Sequence, residues 1–280
     1  IHESTITTGE ILSIQALCVL MMGFAPSFQG LISGLSEVSA VAEKNEDLFS
    51  RPAASHLVEK TGGPAVMEVH DLNIHRGGKN LFRFPISTSI YRGDRIALIG
   101  ESGIGKSSII EALVGLSPCE GYVAVDSSIP RETIGIELPG MSLGEGSIRE
   151  FVRDLNSGNE VISDESIWEV LDIVGISEVI RNLPEGLDSK ILVDGGNLST
   201  GQGQRLRLAL SLLRNPSIVF WDEGLSHLDS TSSLALLRNL NQHEKFKDLT
   251  LVAVTHDLRV CQEMDRVWNI TSSGLHEIRF

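Results

Sequence analysis

The run from Gly100 to Ser108, GESGIGKSS, constrains this chain more than any other stretch. It fits G-x-x-x-x-G-K-[ST], a loop that cradles nucleotide phosphates. It follows the apolar segment RIALI (Arg95 to Ile99) and leads into a helix-like segment, Ser107 to Leu113. That placement is what the chemistry needs. Glycines let backbone N–H groups converge on an anion with no Cβ in the way. The N-terminus of the following helix adds a partial positive charge. The candidate phosphate-binding residues are therefore Gly100, Glu101, Ser102, Gly103, Ile104, Gly105, Lys106, Ser107 and Ser108. Lys106 reaches the β- and γ-phosphates, and the Ser107 hydroxyl is a candidate Mg²⁺ ligand.

A loop of this kind requires a buried strand before it, and other strands of the same type follow. RIALI, SIVFW (Ser217 to Trp221) and TLVAV (Thr250 to Val254) are short and almost continuously apolar. Such runs suit strands covered on both faces of a parallel sheet. Val66 to Ile74 and Leu81 to Ile90 read as paired strands near an edge. Helical periodicity predicts helices over Ile148–Leu155, Glu165–Val174, Gln202–Arg214 and Thr231–Asn241. The layout is α/β, with a helical insertion over about 140–200. No internal repeat is present. A formal charge of −14 argues against a general nucleic-acid partner, which a basic face would mark. It does not argue against ATP, whose phosphates are held by local backbone dipoles. Cys18, Cys119 and Cys261 form no C-x-x-C pair, so reduced core thiols are expected rather than a disulfide framework or a zinc site.

The N-terminal part differs in kind. No charged residue occurs between Glu10 and Glu37, a window that contains ILSIQALCVLMMGFAPSFQGLISGL. At about 1.5 Å per residue a helix of this length exceeds the ~30 Å hydrocarbon core of a bilayer. Its small residues suit close packing on other membrane helices, and Pro26 is a kink that neighbouring helices tolerate. A signal peptide would open with a basic region, whereas Ile1 to Glu10 has none and carries Glu3 and Glu10. The expectation is a transmembrane helix within 1–50, an acidic helix-prone extension (Glu37 to Phe49), a linker over 51–65, and a catalytic domain over 66–280. With Ile1 in first place, the chain reads as the C-terminal part of a longer membrane protein.

Further motifs give the loop its chemistry. SIVFWDEG (Ser217 to Gly224) is an apolar strand ending in two carboxylates. Asp222 is placed to hold Mg²⁺, directly or through water, and Glu223 to take a proton from an attacking water. Just before it, NLSTGQGQRLRLAL begins a helix. Its residues Leu198, Ser199, Thr200, Gly201 and Gln202 resemble the LSGGQ signature of ATP-binding cassette (ABC) proteins. Phosphate loop, signature, acidic strand end, SHLD (Ser226 to Asp229) and THD (Thr255 to Asp257) stand in that family's order and spacing. The resemblance covers about 66–280.

It implies a P-loop NTPase fold of the ABC nucleotide-binding type: a mostly parallel core sheet, an antiparallel edge subdomain and a helical insertion. It implies Mg-ATP as ligand and a nucleotide sandwich, in which Ser199 and the Gly201 backbone bind a γ-phosphate seated on a second copy. It implies that His256 contacts the γ-phosphate and that Asp229 belongs to a turn crossing the dimer interface. Catalysis would rest on Glu223, His256 and Lys106, in an ATP hydrolase. With the apolar span, the resemblance extends to a multi-pass exporter of a bacterial inner or plasma membrane, its ATPase domain cytoplasmic and its cargo of the bacteriocin or peptide class. The alternatives are a nucleotide-binding regulatory subunit with little turnover, and a soluble ABC ATPase.

Three departures from the family pattern bear on activity. Pro139 falls where the family has a glutamine, and Glu137 is the nearest replacement. His75 or Arg76 falls where an aromatic residue stacks on adenine. Thr200 replaces a glycine of the signature, narrowing the approach of the opposing phosphate.

Overall fold

The apolar runs form the centre of a six-stranded sheet because each of their side chains finds an apolar layer on its own side. In the computed structural model, which describes residues 56–76, 79–155 and 162–278, this sheet lies between two cores. The expected membrane span, its acidic extension and Cys18 lie outside the described residues. Among the described residues no helix is long and apolar enough to cross a membrane.

A four-stranded sheet contains β1 (Leu57–Lys60), β2 (Ala65–Asn73), β5 (Ile86–Tyr91) and β7 (Glu120–Asp126), in the order β1-β7-β2-β5. Between β2 and β5, β3 (His75–Arg76) and β4 (Lys79–Asn80) make a short antiparallel pair. The main sheet holds β6 (Arg95–Gly100), β8 (Gly135–Glu137), β11 (Ile218–Trp221), β12 (Thr250–Val254), β13 (Arg266–Thr271) and β14 (Gly274–Ile278). Its order is β14-β13-β6-β12-β11-β8, parallel except for the antiparallel edge strand β14. A two-residue pair, β9 (Gly146–Ser147) with β10 (Lys190–Ile191), ties the ends of the helical insertion together.

Alternation along the central strands shows how the main sheet is covered. Ala97, Val219, Trp221, Leu251 and Ala253 face one core; Ile96, Leu98, Ile218, Phe220 and Val252 face the other. The first core is closed by α2 (Ile148–Leu155), α3 (Asp164–Val174), α4 (Ser177–Arg181), α5 (Thr200–Leu212), α6 (Ser230–Gln242) and α7 (Leu258–Gln262). The second is closed by α1 (Lys106–Leu113) and the apolar face of the four-stranded sheet. Each fully buried Leu or Ile contributes roughly 1.5–3 kcal/mol, so the two-sided covering makes these strands the firmest part of the molecule. Trp221 keeps its indole N–H satisfied at Ser211 Oγ, 3.0 Å away. Cys119 and Cys261 are free thiols, and burial pushes the former up to about 11.

Two expectations need correction. The strand expected over Leu81–Ile90 is confined to Ile86–Tyr91. Pro85 has no N–H for a ladder. The residues before it turn away, Arg83 N–H donating to Ser272 O and Phe84 N–H to Ser273 O, at 2.9 and 3.2 Å. Phe82 is buried in the second core instead. The stretch read as a linker is also structured: Leu57 to Lys60 pair in parallel with β7. His56 before them is buried, with Nε2 2.9 Å from Ala112 O.

Candidate active site

Neighbouring strands β6, β12 and β11 end at the same edge of the main sheet and deliver the candidate residues there. The loop leaves β6 at Gly100 and enters α1 at Lys106. Its last turn before the helix needs glycine: Gly105 has φ 112°, and a Cβ there would stand 2.2 Å from Leu81 Cδ2. The first turn of α1 itself holds no acidic residue. Glu101, Ser102 and Gly103 are exposed at the rim, whereas Gly105, Lys106 and Ser108 are buried. Lys106 Nζ donates to Gly100 O and Glu101 O, both at 2.9 Å. Burial lowers its pKa, against the opposing pull of Asp222 and Glu223. The ammonium thus waits at the loop on two neutral carbonyls that a phosphate oxygen outcompetes.

Asp222 stands at the end of β11, 1% exposed, and neither carboxylate oxygen has a hydrogen-bond partner. Burial raises its pKa most. The Ser107 hydroxyl beside it favours the charged form without completing a hydrogen bond, Glu223 and Glu111 disfavour that form, and Lys106 favours it. A buried, unsatisfied carboxylate next to a hydroxyl is the donor chemistry of a hard, oxygen-ligated cation such as Mg²⁺. Among the described residues no three His, Cys, Asp or Glu side chains gather to hold a metal. A cation here would therefore draw on Ser107, Asp222 and oxygens of a ligand. Replacing Asp222 with Asn is expected to raise the melting temperature of the ligand-free chain by roughly 2–8 °C, since about 1–2 kcal/mol of uncompensated burial is relieved. Scanning calorimetry checks this, and a lower melting temperature would mark the carboxylate as structural.

Glu223 follows in a left-handed conformation, φ 59°, unusual for a residue with a Cβ. Its carbonyl is held by Ser226, whose N–H donates at 2.9 Å and whose hydroxyl donates at 2.7 Å. The turn exposes the Glu223 side chain. His256, just past β12, is also exposed, and the two residues line one cleft of about 410 Å³ with Thr255 and Asp257. On its other side Glu223 borders a cleft of about 330 Å³ with Asp222, Glu137 and Pro139.

The signature residues stand apart from the loop. Ser199 caps α5, its Oγ accepting from Gln202 N–H at 3.3 Å while its own N–H donates to Gln202 Oε1 at 2.9 Å. The helix expected from Gln202 accordingly begins at Thr200. Among the described residues, Ser199 and Gln202 bond each other and nothing on the loop. Leu198 is half-buried, while Ser199 and Thr200 face solvent. Gly201 packs close to the SHLD turn: a Cβ there would lie 3.3 Å from His227 O. Asp229 caps α6 through Ser232 N–H at 3.0 Å, and the Ser232 hydroxyl together with that N–H lowers its pKa.

The departures from the family pattern also have definite places. Pro139 lies in a turn closed by Met141 N–H on Leu138 O at 3.1 Å. Glu137 points into the interior, where Gln204 and Arg207 hold it. His75 pairs with Glu120 at 3.0 Å, and Arg76 is exposed beside it. Sequence reasoning did not single out Gln204 and Arg207. The signal was there: with Ser211 they form a polar line at helical spacing that interrupts the apolar residues Leu206, Leu208 and Ala209.

The profile of the ABC transporter family matches residues 84–226. Over 266 residues the chain is 31% identical to the lacticin-481/lactococcin-DR transport/processing ATP-binding protein of Lactococcus lactis subsp. lactis, covering 92% of this chain and 38% of that protein. Over 292 residues it is 28% identical to an ATP-dependent permease of Candida albicans, covering 98% of this chain and 42% of the permease. A solved bacterial Atm1-family ABC exporter with ATP bound shares its fold, with a TM-score of 0.69 at 21% identity over 94% of this chain and 46% of that one. The chain thus spans less than half the length of each of these relatives.

Proposed function

The chain belongs to the ABC transporter family, and from that premise we propose that it is the ATP-hydrolysing part of a membrane exporter subunit. The observation that supports this best is the convergence at one sheet edge of a phosphate loop, an unsatisfied buried carboxylate beside a loop serine, and an exposed glutamate facing a histidine. The nucleotide-binding domain is 66–280, with β1 packed onto it. By its sequence the apolar segment within 1–50 is assigned to the membrane domain.

In this reading the phosphates of ATP lie on the loop, and Lys106 moves from the carbonyls of Gly100 and Glu101 to the β- and γ-phosphates. Ser107 and Asp222 would hold Mg²⁺, whose charge would offset that of the phosphates. Glu223 takes a proton from a water molecule as that water's oxygen forms a bond to the γ-phosphorus. The bond from the γ-phosphorus to the β,γ-bridging oxygen breaks, leaving ADP and phosphate. His256, across the shared cleft, contacts the γ-phosphate and orients the water. Lys106 stabilises charge that develops on the transferred group.

The outward-facing signature supplies the other half of the site to a second copy. Its Ser199 hydroxyl and the first N–H groups of α5, at Thr200, Gly201 and Gln202, meet the γ-phosphate held by the partner's loop. Asp229 anchors the turn that crosses between the two copies. Closure of the homodimer on ATP, and its opening after hydrolysis, drive the membrane helices. Similarity to a lacticin transport/processing protein of a bacterium supports a peptide cargo and a bacterial inner or plasma membrane. The exposed Glu223 and His256 favour turnover over a purely regulatory role.

The test is association. The Glu223→Gln chain, in detergent with Mg-ATP, should shift from monomer to dimer in light scattering. A monomer at saturating Mg-ATP would refute the sandwich.

A further inference from the structure

Glu137 ends β8 at the edge of the main sheet, 5% exposed. Its Oε1 accepts from Gln204 Nε2 at 3.0 Å and pairs with Arg207 Nε at 3.4 Å. Arg207 also donates to Gln204 Oε1 at 2.6 Å, closing a network on one face of α5. The second carboxylate oxygen, Oε2, is buried with no hydrogen-bond partner. It abuts Gly224, where a Cβ would stand 3.1 Å away. The Glu137 carbonyl accepts Asp222 N–H at 2.8 Å. One residue therefore grips α5 through its side chain and Asp222 through its main chain, while its second oxygen lies unbonded against Gly224.

We propose that Glu137, held by Gln204 and Arg207, is a positioning residue that ties α5 to the turn bearing Glu223. Displacement of the signature end of α5 is thereby passed to the base. The proposal rests on reading Glu223 as that base. Buried charges do not separate cheaply, since removing one partner strands the other, so the three side chains move with the helix as a unit. Pro139, two residues on, has no side-chain donor or acceptor with which to make such a link. Its route is short: strand end to helix face, through a single carboxylate.

Glu137→Gln keeps the shape and the Gln204 contact but loses the ion pair, and Arg207→Met removes the partner. Misplacing a reacting group by an ångström costs up to about 10²-fold. Each variant is expected to lower kcat for ATP about tenfold, with KM and the affinity for a non-hydrolysable ATP analogue within about twofold. The double variant should show the same tenfold loss, because the pair acts as one unit.

Hydrogen exchange reads the link without turnover. In Arg207→Met the amides of Ile218 to Gly224 should exchange about tenfold faster, while those of Leu236 to Leu240 stay as in wild type. A kcat for Glu137→Gln within twofold of wild type overturns the proposal, and so does a double variant that loses the product of the single effects. Unchanged exchange at Ile218 to Gly224 overturns it whether or not the chain hydrolyses ATP. A wild type no faster than Glu223→Gln refutes the hydrolysis reading alone, and exchange then decides the link.

Discussion

Replacing Glu223 with Gln is expected to lower the maximal rate of ATP hydrolysis by about 10²- to 10⁴-fold, with ATP affinity within a few-fold of wild type. The substitution is nearly isosteric and touches no contact of the fold. The turn is held through the Glu223 carbonyl, and the side chain is exposed. What disappears is a proton acceptor beside the cleft shared with His256. Binding is expected to survive because the loop, Lys106 and the Asp222–Ser107 pair stay in place. Steady-state phosphate release and equilibrium binding, measured on the same preparation, separate the two effects. Equal rates for wild type and variant would leave a chain that binds nucleotide without turning it over, the regulatory alternative.

Replacing Lys106 with Ala should act on the opposite quantity. Among the described residues its ammonium bonds the carbonyls of Gly100 and Glu101 and no group outside the loop. The loss to binding is large. Two hydrogen bonds to a charged group, at about 1.5–3 kcal/mol each, amount to roughly 10²- to 10⁴-fold in ATP affinity. Asp222 also loses the cation that favours its charged form. Arginine should not rescue the variant, because a planar guanidinium does not fit a pocket shaped for a point charge between two carbonyls. Titration calorimetry with ATP checks both variants. Unchanged affinity in Lys106→Ala would remove the loop from the site altogether.

Much of this arrangement is legible from local chemistry. The loop announces itself because each of its residues is dictated by the anion it must hold. RIALI, SIVFW and TLVAV announce themselves because two-sided burial leaves little room for polar residues. The helices from Ile148 to Asn241 follow from periodicity, with ends that differ by a residue or two where caps such as Ser199 decide them. Elements that depend on a distant partner were harder to see. β1 is four residues within a Pro- and Gly-marked stretch and exists because β7 offers an edge. The stretch Leu81–Phe84 reads as strand in sequence, yet Leu81 and Phe82 fill the space over Gly105. Around the site, the order of motifs placed Asp222, Glu223 and His256 together. The inward turn of Glu137 depends on Gln204, 67 residues away in the chain, and no local pattern encodes it.

The left-handed backbone at Glu223 has a consequence for how this protein changes over generations and in the laboratory. A Cβ in that region costs of order 1–3 kcal/mol, a cost that glycine does not incur. The most stable residue at position 223 is therefore one that cannot act as a base. Selection for heat resistance alone should drift toward glycine or asparagine here and yield robust, silent proteins. Only a selection that also requires turnover would keep the glutamate in its unfavourable posture.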